Sequence, residues 1–343
     1  MRTLTRPLTV VGIRGHRRVE LFRAAAVAGG LGEPAFVDWR DVCAGDFDLA
    51  PGSAVRLESP GEDPEVDRLL RGADRPAEHG EIVGLAAWYE GFLAAARRVE
   101  QRASGPVLNP VDELAVMFDK RRCHALLRRH GVPVPDGFAA DGYDGVRSAG
   151  WPRVFVKPAH GSSASGVVAL ALHKGRVSAH TSAALDGGRL FNELRVHHYT
   201  DERQVAAIVD RLGADGLHVE RWMPKASHGG RVFDLRVVVI AGRASHVVAR
   251  TSRSPLTNLH LGNARGDLAA IRAAMGPRHW AAALETCERA AACFPGSLHA
   301  GVDLLVSPGF DVHAVAEVNA FGDLLPGLLV DGRDTYAAEV AAL

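Results

Sequence analysis

Lysine is nearly missing from this sequence. Only 4 of its 40 basic residues are lysine, at Lys120, Lys157, Lys174 and Lys225; the rest are arginine. The bias is that of an arginine-favouring genome, and it singles out the positions that keep a compact ammonium on a flexible stem. Net charge is missing as well, with 40 basic against 40 acidic side chains. No basic run stands out, so neither nucleic acid nor an anionic membrane is implied as a partner. Cysteine is sparse: Cys43, Cys123, Cys287 and Cys293 show no CxxC pair and no metal-ligand spacing. They are expected to be reduced thiols in a cytoplasmic protein, with Cys287 and Cys293 on different faces of one helix. No run approaches the ~20 apolar residues of a membrane span. The apolar stretch near the N-terminus is too short for the core of a signal peptide. Two nucleotide-binding fingerprints are also lacking. The first turn has Gly12 and Gly15 but no GxGxxG, and in "GSSASGV" Val167 stands where GxxxxGK[ST] requires lysine.

What is present is a chain of 343 residues, 47% hydrophobic, with room for about two or three domains with cores of their own. "PLTVVGI", "HRRVELFRAAAVAGG" and "PAFVDW" read as strand, helix and strand, a βαβ opening to a small α/β domain. "IVGLAAWYEGFLAAARRVEQRA" has the apolar stripe of a long helix. "SGPVLNPVDE" reads as a linker, and one helix is expected over "ELAVMFDKRRCHALLRRHG", stopped by Gly131. Further on, "RVFVKPAHGSSASGVVALAL" reads as two strands around a turn, "TDERQVAAIVDRLGADG" as a helix and "LHVERWM" as a strand. "RVFDLRVVVIAGRASHVVAR" is a hairpin turning at "AGR". "PRHWAAALETCERAAACFPG" is a helix, and the last hairpin turns at "SPGFD". No internal repeat is seen.

The turn between Gly161 and Gly166 is made of small residues, Ser162, Ser163, Ala164 and Ser165. Small residues let a backbone approach a ligand and aim its N–H groups at it. Lys157 ends the strand that enters the turn, where an ammonium can neutralise phosphate. The turn therefore reads as a flap over phosphates, against the plainer alternative of a flexible surface hairpin.

In the last hairpin, Glu317 and Asn319 are two apart on a strand and share a face, with Val315 and His313 expected behind them. With the turn centred near residue 309 or 310, Asp303 faces 315 or 317 and falls on that same face. Adjacent buried carboxylates are costly unless a cation joins them. Two carboxylates and a carboxamide oxygen suit Mg²⁺, a hard ion that also recruits phosphates. The apolar company of "AGVDLL" and "VHAVAEVNAF" favours this over a solvent-facing edge. In "FDLRVVVI", Asp234 and Arg236 share one face while Phe233, Leu235, Val237 and Val239 take the other. Asp234 and Arg236 could be a simple ion pair.

Taken in order, "DK" at Asp119–Lys120, "FVKPAHGSSASGV", "HVERWM", "FDLRVVVI", "TNLHLGN", "GVDLL" and "EVNAFGDL" resemble the ATP-grasp enzymes, over nearly the whole chain. The likeness is to carboxylate–amine ligases such as glutathione synthetase, D-alanine–D-alanine ligase and the ribosomal-protein glutamate ligases. The resemblance implies an α/β and α+β protein: two α+β subdomains gripping ATP, preceded by a Rossmann-like N-terminal domain. The expected segments are 1–108, 109–216 with the flap, and 217–343 with the magnesium site. It implies that Lys120 and Lys157 hold phosphates, and that Gly161, Ser162, Ser163 and Gly166 belong to the flap. Glu220, Arg221, Trp222 and Met223 are the implied adenine hinge. Arg236 is implied beside the transferred phosphate, and Arg250 beside the acyl substrate. Asp303, Glu317 and Asn319 are the implied ligands of two magnesium ions, with manganese an alternative. Lys120 can also be read as a solvated helix residue, Trp222 as core, and Arg253 and Arg265 as ordinary loop arginines. The activity implied is ATP-dependent joining of a carboxylate to an amine through an acylphosphate, on small molecules or a peptide. A small-molecule kinase and a non-catalytic nucleotide binder are the rival readings.

Overall fold

The computed structural model describes residues 6–61, 63–161, 165–321, 325 and 327–343. The chain opens with β1 (Leu8–Gly12), α1 (Arg17–Ala28), β2 (Ala35–Asp38), α2 (Trp39–Ala44) and β3 (Ala54–Leu57). These strands form a parallel sheet in the order β2-β1-β3, as a βαβ opening requires. Three strands are fewer than a full doubly wound dinucleotide-binding sheet contains. Two helices follow, α3 (Pro64–Arg71) and the long amphipathic α4 (Leu85–Arg102).

The single helix expected next is two helices, α5 (Val111–Met117) and α6 (Lys120–Arg129). The break is at Asp119. Its backbone is extended (φ −112°, ψ 105°), and its carboxylate accepts from the N–H groups of Arg121 and Arg122. An aspartate that satisfies free helix-start donors in this way begins a new helix even inside a continuous apolar pattern.

The middle sheet comprises β4 (Gly137–Ala140), β5 (Arg153–Pro158), β6 (Val168–His173), β7 (Arg176–Asp186), β8 (Arg189–Tyr199) and β9 (Leu217–Arg221), with α7 (Tyr143–Ser148) and α8 (Glu202–Gly213) packed on one face. Its order is β4-β9-β5-β6-β7-β8. The hairpin β7–β8 has no counterpart in the sequence reading, because β8 is mostly half-buried or exposed and carries little apolar alternation. β9 belongs to this sheet, so the change to the last sheet falls after Arg221 and not at residue 217. A strand's own residues do not specify its neighbour.

The last sheet contains β10 (Ser227–His228), β11 (Arg231–Ile240), β12 (Arg243–Ser252), β13 (Ala264–Arg265), β14 (His299–Val306) and β15 (His313–Asn319). Its order is β13-β12-β11-β14-β15, with β10 beside β11. α9 (Leu268–Ala291) packs on one face and kinks at Gly276, before Pro277. It ends before Cys293, so Cys287 and Cys293 do not share a helix as expected; all four cysteines are free thiols. The final helix, α10 (Thr335–Ala342), returns to pack on α1 through Tyr336 and Val340. One hydrophobic core joins the first sheet, α4 to α6, α9 and the last sheet, whereas the middle sheet has a core of its own. Among the described residues no helix is long and apolar enough to cross a membrane.

Candidate functional site

Two sheet faces meet at the site, and side-chain alternation populates each. On the middle sheet, Val154, Val156, Leu217 and Val219 point into the core under α7 and α8. Phe155, Lys157, His218 and Glu220 must then point the other way. The register sets them side by side, with Phe155 opposite Glu220 and Lys157 opposite His218. On the last sheet, Phe233, Leu235, Val237 and Val239 are core, as expected, and Asp234 and Arg236 take the site face. Asp234 is opposite Arg250, Arg236 opposite Asp303, Asp303 opposite Glu317, and Gly301 opposite Asn319.

The expected pairing of Asp303 with Glu317 is present, but the strand is not regular. A bulge at Ala316 lets Leu304 pair with Val315 directly after Asp303 pairs with Glu317. Val315 therefore turns into the core with Val318 rather than standing behind Glu317. The extra residue also aims the Ala316 carbonyl at the middle sheet. It accepts from His124 Nε2 at 3.1 Å and from Lys157 Nζ at 3.5 Å. A bulge re-aims a strand in this way at the cost of one unpaired residue.

Lys120 is buried, not solvated, because the break at Asp119 makes it the first residue of α6. Its Nζ donates to the Gly161 carbonyl at 2.8 Å and lies 3.2 Å from Glu317 Oε1. Lys157 Nζ donates to Glu220 Oε1 at 2.6 Å. One α6 turn on from Lys120, His124 meets His218 and, through it, Glu220. His124, His218 and Glu220 form a three-donor cluster of metal-site dimensions, but the Lys157 ammonium already supplies the cation there. Burial pushes the His124 pKa down to about 4.

Asp234 does not pair with Arg236. It accepts from Arg250 Nε at 2.7 Å, from Lys225 Nζ at 3.3 Å and from the Thr257 hydroxyl. Arg236 instead sits with Nε 2.8 Å from Asp303 Oδ1, and Arg250 Nη2 lies 3.1 Å from Asp303 Oδ2. The first contact is close but lacks hydrogen-bond alignment, which leaves Asp303 Oδ1 a buried oxygen with no donor. Burial raises the Asp303 pKa in spite of both guanidiniums. Burial also opposes charge on Glu317, but there Lys120, Lys157 and Arg236 outweigh it and hold the carboxyl below the ordinary range. Asn319 Nδ2 donates to the Gly301 carbonyl at 3.2 Å.

A slot of about 70 Å³ runs between the two faces. Phe155, Val167, Leu256 and Leu305 wall it, and Lys157, Glu220 and Glu317 line its polar side. It continues into a cavity of about 310 Å³, with Gly161, Ser165, Arg250, Asn258 and Glu317 lining both.

Solved structures share this fold over nearly the full chain length. The ATP-grasp ligase PsnB, complexed with precursor peptide PsnA2 and AMPPNP, is 18% identical, with 100% of this chain and 99% of that one covered and a TM-score of 0.54. The macrocyclase MdnC from Microcystis aeruginosa MRC, bound with precursor peptide MdnA, is 14% identical over 97% of each chain, with a TM-score of 0.58. A RimK domain ATP-grasp protein from Sphaerobacter thermophilus is 17% identical over 98% of each, with a TM-score of 0.53. The fold is ATP-grasp. No protein-family model matches this sequence, and no curated protein matches it.

Within the ATP-grasp frame, most of the residues singled out in the sequence converge. Lys120, Lys157, Gly161, Glu220, Arg250, Asp303 and Glu317 all line the slot, and Arg236 and Asn319 line the adjoining cavity. Others do not. Arg221 is exposed, with its guanidinium over the Trp151 ring, so its side chain leaves the slot. Trp222 packs 4.9 Å from Phe155 and backs the slot wall, closer to the core reading. Met223 is half-buried beyond the strand end. Gly166 serves packing: with φ +70°, a Cβ there would meet Leu212 Cδ2 at 2.6 Å. Ser162 and Ser163 lie outside the described residues. Arg253 and Arg265 are exposed. The sequence reading gave no role to Lys225, which is buried in the ATP-grasp slot beside Asp234 and Thr257. Its scarcity as a lysine was the available signal. His124 and His218 carried none.

Proposed function

We propose that this chain is an ATP-dependent carboxylate–amine ligase, forming an amide or peptide bond through an acylphosphate and releasing ADP and phosphate. The observation that carries this reading is the row Asp303, Glu317 and Asn319 on one face of a hairpin, facing Lys120 and Lys157, with Arg236 and Arg250 alongside. The apolar walls of the slot suit a flat base, which it admits on opening beyond its present volume of about 70 Å³. Adenine would lie between Phe155, Val167, Leu256 and Leu305, with Glu220 beside it. Lys120 and Lys157 then reach the phosphates as point charges.

The donor set fits a hard divalent cation. It offers two carboxylates, one with a buried donor-less oxygen, and a carboxamide whose nitrogen is spent on Gly301, leaving its oxygen for the site. Asp303, Glu317 and Asn319 would hold magnesium; manganese shares the preference for oxygen. When bound, magnesium offsets charge on the β- and γ-phosphates.

In the reaction, a carboxylate oxygen of the substrate attacks the γ-phosphorus, and the bond from that phosphorus to the bridging oxygen breaks, releasing ADP. The amine nitrogen then attacks the acyl carbon. The C–N bond forms, the C–O bond to phosphate breaks, and the amine proton leaves to solvent. Arg236 and Arg250 stand where the slot meets the larger cavity and neutralise the carboxylate and the moving phosphoryl group. Enclosure between the sheets keeps water from the acylphosphate. Small acids and amines fit this scheme, and so does a peptide, which PsnB and MdnC are complexed with.

Carboxylate labelled with ¹⁸O tests the proposal. A ligase transfers one labelled oxygen to inorganic phosphate, whereas a kinase makes a stable phosphoester and no labelled phosphate. Glu317→Gln should lower ADP formation by about 100-fold or more while the protein stays folded. A variant with unchanged turnover would remove the metal site from the mechanism.

A further inference from the structure

We infer that the 310 Å³ cavity selects a carboxylic acid whose body is aromatic or bulky and apolar, and this inference rests on the ligase reading above. The volume is at the small end of ligand sites, enough for one compact acid or one terminal residue and not for a folded partner. Its lining is of two chemical kinds. Arg236 and Arg250 are both buried in it. Arg250 is already held by Asp234 and Asp303, whereas Arg236 Nη1 has no hydrogen-bond partner and can meet a carboxylate. Trp88, Phe118 and Phe321 line it as well.

These three rings form a connected wall. Trp88 and Phe118 are 5.9 Å apart between centroids, and Phe118 and Phe321 are 5.6 Å apart. Behind them Phe92, fully buried, stacks on Trp88 at 5.3 Å and holds Phe118 at 5.1 Å. Trp88 and Phe118 are only partly buried, so each leaves ring surface to the cavity. Rings placed at these spacings favour a further ring in edge or offset contact.

The wall is joined to the chemistry through the chain. Phe118 is two residues from Lys120, and Phe321 is two residues from Asn319. The polar site and the aromatic lining are thus carried by the same segments. The acids on the cavity wall, Asp67, Glu81 and Glu317, do not oppose an anionic substrate, because each is already matched. Asp67 is 2.7 Å from Arg71, Glu81 is 3.0 Å from Arg75 and 2.8 Å from Arg189, and Glu317 is 3.2 Å from Lys120. The shared chemistry is a carboxylate on a compact aromatic body. It can come from a free acid or from the C-terminal residue of a peptide.

The test uses the full chain with ATP and Mg²⁺, and hydroxylamine as a general acceptor that converts any acylphosphate to a hydroxamate. Hydroxamate and ADP are measured for 3-phenylpropionate, N-acetylphenylalanine and a pentapeptide ending in phenylalanine, against acetate, N-acetylglycine and succinate. The aromatic acids should exceed the small ones by about 100-fold in kcat/KM, the scale on which an apolar pocket discriminates. Trp88→Ala should shrink that ratio to below about tenfold, and Trp88→Phe should keep it. The faster of the free acid and the peptide names the source, and a preference in either supports the inference. Equal or better turnover of acetate or succinate overturns the cavity assignment and leaves the ligase reading standing. If no acid yields ADP and hydroxamate, the ligase reading fails, and this inference with it.

Discussion

Asp234 and Asp303 are both buried aspartates on the site face, yet their surroundings push them in opposite directions. Burial opposes the charge of Asp234, but Arg250 and Lys225 outweigh it, and its pKa falls well below the ordinary range. Its oxygens are fully used by Arg250, Lys225 and Thr257. Asp234 is thus the structural anchor of the cluster, and Asp303 keeps an oxygen with no donor and a raised pKa. Asp234→Ala would strand the Lys225 charge in the interior and leave Arg250 only Asp303. It should destabilise by about 3–5 kcal/mol, read as a lower urea midpoint, while Thr257→Ser should cost little. At this scale much could be read in advance. Alternation put Asp303, Glu317 and Asn319 on one face, and Arg236 with Asp234 on one face of another strand, without knowledge of the fold. It could not say that Arg236 would pair with Asp303 across β14 rather than with Asp234 two residues away.

Among elements, two local irregularities make the site. The first is the break before α6, which turns Lys120 from a helix-surface residue into a buried group facing Gly161 and Glu317. Removing the cap by Asp119→Ala should cost about 1 kcal/mol in thermal unfolding. It should also raise the KM for ATP more than it lowers kcat, since Lys120 loses its fixed position; Asp119→Asn should restore both. Equal kinetics with a lowered melting temperature would make the cap purely structural. The second irregularity is the bulge at Ala316, which puts Val315 in the core and the carbonyl against His124 and Lys157. Neither feature has a sequence signature strong enough to read. The helix pattern runs on through Asp119, and a bulge is one extra residue in a strand whose alternation is otherwise intact.

For the molecule as a whole, the arrangement of cores matters most. The first and last sheets share one core and are further tied by α10 and by the buried Arg56–Glu339 pair. The middle sheet has a separate core. The slot between them is narrow, about 70 Å³. On the proposed reading, a nucleotide enters as the middle sheet moves against the rest, a motion that separate cores permit. Buried histidines also set the acid limit of the fold. Burial pushes the His124 pKa to about 4 and the His299 pKa to about 3, from 6.5. Above 6.5 both are neutral in the folded and unfolded chain alike. Below it the unfolded chain takes up protons that the folded one refuses, so stability falls with pH. Between pH 6.5 and 5 each should remove about 2 kcal/mol. The urea midpoint should drop accordingly, and by less in His299→Gln. An unchanged midpoint would mean that these side chains reach solvent.

Alternation along a strand, turn residues and a scarce lysine are properties of short stretches, and short-range sterics and burial act on them directly. That is why the hairpin face bearing Asp303, Glu317 and Asn319, the hairpin around Lys157 and the order of the motifs could be read from the residues alone. Which strand lies beside which is a matter of packing between distant segments. β9 joining the middle sheet, α10 docking on α1, Lys225 entering the slot and the aromatic wall of Trp88, Phe118 and Phe321 all depend on contacts that no local stretch encodes. They exist because burying those surfaces together outweighs the entropy of bringing them there.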